Sequence, residues 1–148
     1  MAHAINMTLR LKQDAASKRA LADFKNAFAT RWQPQIESVM RASRLIHFAR
    51  VVIIDDKYLQ LLTEFDGDRR VYTTFFLNAL PEVFKAMFAL GAGAPPWDEL
   101  KHPDRFYEYC GSLDILSLGK APGGRSDEGF LFSAYGAKEV KEILPLIA

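Results

Sequence analysis

The sequence predicts an α+β domain in which one antiparallel sheet carries helices on a single face. Three observations predict it. A short N-terminal segment alternates apolar and polar residues with period two, and a β-branched stretch in the middle doubles back on a polar turn. Two longer segments repeat apolar residues at three- and four-residue steps, the spacing of a helix with one buried stripe. The 148 residues fit one domain, 1–148.

Ile5 to Leu11 alternates and reads as the first strand. Asp14 is an N-cap candidate for a helix from Ala15 to Trp32, with Leu21, Phe24, Phe28 and Trp32 on one face. Gln33-Pro34 should interrupt that helix, because proline cannot donate to the ladder. Ile36 to Met40 then reads as a short helix or an extended link. Arg44 to Asp55 is β-branched, aromatic and almost continuously apolar, which predicts a long strand covered on both faces. Asp55-Asp56-Lys57 is a tight turn, and Tyr58 to Phe65 returns as the second arm of a hairpin.

Asp66-Gly67-Asp68 ends the hairpin and offers a helix cap. Val71 to Leu90 carries a broad apolar face, with a kink or break expected near Asn78 or Ala79 because Pro81 follows. Gly91 to Pro96 stops it and opens an insertion over about residues 92–127. Within it, His102 to Cys110 forms a short helix started by Pro103, and Ala121 to Ser126 reads as the most flexible stretch. Gly129 to Tyr135 is expected as the last strand, and Lys138 to Ile147 as a C-terminal helix cut by Pro145.

The resulting order is the βαββαβ, ferredoxin-like sandwich: a four-stranded antiparallel sheet with helices on one face, an insertion before the last strand and a terminal helix. Pairing the hairpin about Lys57 sorts its side chains into two sets. His47, Ala49, Val51, Ile53, Leu59, Leu61, Thr63 and Phe65 should face the helices. Ile46, Phe48, Arg50, Val52, Ile54, Tyr58, Gln60, Leu62 and Glu64 should face away, joined by Asn6, Thr8 and Arg10. An outward face so apolar needs a cover, since burial returns roughly 25 cal/mol per Å². A second copy of the same sheet supplies one and predicts a homodimer of the dimeric α/β barrel kind. The alternative is the insertion folding over that face within one chain.

Lys plus Arg is 19 and Asp plus Glu is 18, so charge gives no reason to expect nucleic acid or an anionic membrane as partner. No apolar run is long enough to span a bilayer, and Met1 to Arg10 lacks the pattern of a secretory signal. The single cysteine, Cys110, forms no intrachain disulfide and fits a cytoplasmic, reducing setting.

Leu45-Ile46-His47-Phe48-Ala49-Arg50, the run to Asp55-Asp56, and Glu64-Phe65-Asp66-Gly67-Asp68 resemble a bacterial family of uncharacterised ferredoxin-like proteins with an "HFAR…FDG" hairpin. Phe132-Ser133-Ala134-Tyr135 is similar to its last strand. Similar modules occur in larger peroxidase-like proteins, and the wider dimeric α/β barrel group holds cofactor-free monooxygenases, isomerases and haem enzymes. The resemblance therefore implies either a cofactor-free oxygenase or isomerase, or a haem-dependent peroxidase-like protein. The peroxidases' GxxDG motif is absent, so no cofactor is expected and haem is the one left open.

The candidate pocket at the outward sheet face comprises Arg50, Glu64, Tyr58, Phe48, Gln60, Thr8 and Arg10. Arg50 and Glu64 fall diagonally across the hairpin, as an anion-binding arginine oriented by a carboxylate or, the favoured reading, as a structural ion pair. His47 offers a general base or ligand, against the plainer reading of a core histidine bonded to backbone or to Thr63. Cys110 offers a nucleophile, against a small buried apolar residue. The three histidines share no ligand spacing, so no metal is expected. A homodimer that binds a small molecule at the sheet face is the functional expectation, with a non-enzymatic assembly module as the alternative.

Overall fold

The computed structural model describes residues 1–121 and 128–147. Strand β1 (Ala2–Arg10) is followed by a helical run, α1 (Ala15–Ala27), a π turn (Phe28–Trp32) and α2 (Gln33–Ser43). The hairpin β2 (Ile46–Ile54) and β3 (Tyr58–Asp66) comes next. Helices α3 (Arg69–Ala79), α4 (Pro81–Ala89), α5 (Trp97–Leu100), α6 (Pro103–Leu113) and α7 (Val140–Ile147) complete the chain.

Local chemistry sets most boundaries. Asp14 caps α1 by accepting from the Ser17 amide at 3.0 Å, and Asp68 caps α3 by accepting from Arg70 and Val71. The hairpin turns on Asp55 and Asp56, both at positive φ, with Lys57 N–H donating to Ile54 O. That is a type I′ turn, whose twist matches the strands it joins. Leu80 breaks the ladder immediately before Pro81, one or two residues past the expected place, and separates α3 from α4.

Pro34 does not interrupt the first helical run. The Gln33 amide donates to Phe28 O, an i→i−5 bond that widens one turn. Proline's missing N–H then falls in the first turn of α2, where no donor is needed. Pro145 likewise lies inside α7 rather than cutting it.

The four-stranded βαββαβ plan is wrong. The sheet has three antiparallel strands in the order β1-β3-β2, and Gly129 to Tyr135 is irregular. The outer edge of β1, which a fourth strand would have filled, is occupied. Asp114 accepts from Asn6 N–H at 2.7 Å, Ile115 N–H donates to Asn6 O, and Ala92 N–H donates to Arg10 O. With those backbone groups satisfied, the 129–135 stretch has no ladder to join. Phe130 N–H bonds Leu118 O instead, and Gly129 presses so closely on Ser117 that a Cβ would overlap its carbonyl oxygen. The expected flexible stretch lies, apart from Ala121, outside the described residues.

Hairpin register follows the expected pairing: Arg50 opposes Leu62, Val51 opposes Leu61 and Ile54 opposes Tyr58. A bulge between Ile46 and Phe48 breaks it at the open end. Ile46, expected on the outward face, is therefore buried opposite Phe65.

The core lies between the sheet's inner face and the helices. Ile5, Met7, Leu9, Leu59, Leu61, Thr63 and Phe65 meet Leu21, Phe24, Trp32, Tyr72, Phe76, Phe84 and Phe88. Phe65 stacks on Tyr72 with centroids 4.0 Å apart, and a chain of rings runs through Phe76 and Phe84 to Phe106. The insertion's α6 joins this helical side, against α3 and the ring cluster. It leaves the outward face open at Phe48, Arg50 and Ile54.

Candidate functional site

Strand alternation carries Phe48, Arg50, Val52 and Ile54 of β2, Tyr58, Gln60, Leu62 and Glu64 of β3, and Asn6, Thr8 and Arg10 of β1 to one face. Phe48 is 70 % exposed and Ile54 42 %, while Val52 and Leu62 are half-buried. The polar candidates are interleaved with them. Gln60 Nε2 donates to Thr8 Oγ1 at 3.0 Å, and Arg10 lies opposite Tyr58 at the turn end.

Arg50 and Glu64 are diagonal neighbours, since Phe48 opposes Glu64 and Arg50 opposes Leu62. No direct ion pair joins them among the described residues, so the expected structural salt bridge is not formed within one chain. Burial pushes the Glu64 carboxyl above its ordinary value, while Arg50 and His47 pull it back. Glu64 is thus a partly desolvated carboxyl with a cation nearby, placed to receive a second arginine.

His47 sits at the bulge and bonds neither backbone nor Thr63. Its Nε2 lies 2.8 Å from Asp66 Oδ1. Asp66 Oδ2 accepts the Val140 amide at 2.8 Å, so this buried carboxylate ties β2 and α7 to the end of β3. Thr63 instead bonds the Tyr72 hydroxyl within the core. The arrangement gives His47 a structural partner. The periodicity of the strand carried no sign of it, because a bulge is set by tertiary context.

Cys110 is buried among α6, α3 and β1, and burial pushes its thiol up to about 12. A thiol that stays protonated near neutrality is a packing residue, not a nucleophile. Iodoacetamide at pH 7.5 should leave native protein unlabelled and modify one cysteine per chain in denaturant; mass spectrometry reads both. Fast labelling of the native protein would contradict this placement.

Sequence reasoning missed a second feature. A cleft of about 520 Å³ opens on the helical side between α2, β2 and the α3–α4 pair. Ile36, Val39, Met40, Ala49, Val51 and Phe84 give it apolar walls, and Gln33, Glu37, Arg41 and Arg50 also line it. The available signal was Ile36, Val39 and Met40 at helical spacing, followed by Arg41.

Among the described residues no cluster of His, Cys, Asp and Glu could hold a metal ion, and no helix is long and apolar enough to cross a membrane. No protein family, curated protein or solved structure matches this chain.

Proposed function

We propose that the chain acts as a homodimer joined outward face to outward face, binding a small molecule between the stacked sheets. One observation carries this reading: the outward face leaves Phe48 and Ile54 open beside Val52 and Leu62, with opposite charges at Arg50 and Glu64. Apolar side chains exposed together on one face mark an interaction surface. The charges favour a second copy as its occupant. A two-fold axis turns a face bearing both signs onto itself, so the Arg50 of each copy can meet the Glu64 of the other. Such pairing also offsets the desolvation of Glu64.

Arg50 would bind an anionic group of the ligand, with Thr8, Arg10, Phe48, Tyr58 and Gln60 around it. If the site is catalytic, Glu64 is the residue to move a proton, in the manner of a cofactor-free oxygenase or isomerase. Pure assembly is the second reading, supported by Gln60 and Thr8 satisfying each other. The single buried cysteine suits a reducing, cytoplasmic setting.

Charge exchange tests the pairing. R50E and E64R should each weaken dimerisation roughly 30-fold, about 2 kcal/mol, and the R50E/E64R double variant should restore most of the loss. Sedimentation velocity reads the three affinities. Additive weakening in the double variant would contradict a paired interface.

A further inference from the structure

We infer that the cleft beneath α2 binds an amphipathic carboxylate, its apolar body inside and its anionic head at the Arg41 rim. The inference does not depend on the dimer, because it concerns the helical side of the sheet. Three observations converge on it.

The first is volume and lining. About 520 Å³ lies within the roughly 300–1,000 Å³ range of small-molecule pockets, and the walls are apolar side chains of α2, β2, α3 and α4. Packed interiors leave few voids larger than a water. Yet α2 buries none of its residues fully, and Ile36, Val39 and Met40 stay only half covered. On the strand side the cleft is lined by Ala49 and Val51, both small.

The second is the π turn. Phe28–Trp32 widens the helix just before α2, resetting its phase between buried Trp32 and the half-buried Ile36 and Met40. Phe28 itself lines the cleft. Such turns are rare and recur at functional sites. Here the turn lies directly before the helix that walls the cleft.

The third is charge. Arg41 stands at the rim with a single acid, Glu37, and Gln33 Nε2 already bonds the Glu37 carboxylate at 3.3 Å. Among the described residues Arg41 takes part in no ion pair. An unpaired guanidinium beside an engaged carboxylate favours an anion, and its planar fork matches a carboxylate.

Titration calorimetry of the full chain with octanoate and with octanol tests the inference. Octanoate should bind saturably at one per chain, and more tightly than octanol. Ala49→Phe, which fills the cleft, should cut octanoate affinity at least about tenfold, with folding checked by thermal melting. Arg41→Glu changes an exposed residue and keeps the test open if Ala49→Phe fails to fold. It should weaken octanoate roughly tenfold and leave octanol unchanged. No saturable octanoate binding, or octanoate affinity unaffected by Arg41→Glu, would overturn the inference. Because Arg41 lies on α2, away from the outward face, these results are independent of dimerisation.

Discussion

Phe65→Ala should destabilise the protein by about 3–5 kcal/mol, the range for emptying a large aromatic site in a closed core. Phe65 is fully buried on the central strand, stacked on Tyr72 at 4.0 Å and opposite Ile46 across the bulge. Its removal leaves a void in the layer where sheet and helices meet. The neighbours cannot easily collapse into it. Tyr72 is held by its hydroxyl to Thr63, and beside the bulge Asp66 N–H donates to Leu45 O. Single domains are stable by roughly 5–15 kcal/mol, so this change removes a large share of the total. Phe132→Ala, at a ring 84 % exposed, should stay within about 0.5 kcal/mol in the same urea titration.

Asp66→Ala should cost about 3 kcal/mol, through polar chemistry rather than volume. Asp66 is 5 % exposed and holds the His47 ring with one oxygen and the Val140 amide with the other. Alanine leaves two donors without their acceptor at the junction of β2, β3 and α7. Asp66→Asn keeps one carbonyl oxygen and should lose roughly half as much. The alanine variant should also release α7, read as faster proteolytic cleavage near Val140. Equal stability of the alanine variant and the parent would show that water replaces the carboxylate without loss.

The parts of the fold legible in the sequence are those set by neighbours along the chain. Asp14 and Asp68 cap helices because their side chains reach amides two or three residues on. The Asp55-Asp56 turn fixes the register of the hairpin, which in turn places Arg50 diagonal to Glu64. Composition also separated the buried face from the open one along the hairpin, except at Ile46 beyond the bulge.

What escaped the sequence depends on contacts far along the chain. Gly129 to Tyr135 has the residues of a strand, but Asp114 and Ile115 reach the edge of β1 first. The bulge at His47 moves Ile46 inward and exchanges a backbone or Thr63 partner for Asp66. The π turn rescues a helix that Pro34 should have stopped. No local propensity encodes any of these, and the α2 cleft, walled by the helix that follows that turn, was invisible for the same reason. Of the candidate site, the face was legible; the loss of the direct Arg50–Glu64 bridge was not.

In the proposed homodimer a second copy of the chain covers the outward sheet face. Light scattering on the purified protein at micromolar concentration, at moderate salt, measures this directly. It should return twice the chain mass, and Phe48→Asp, a charge set into the middle of the patch, should return the mass of one chain without loss of helical signal. A single-chain mass for the parent at that concentration would contradict the claim.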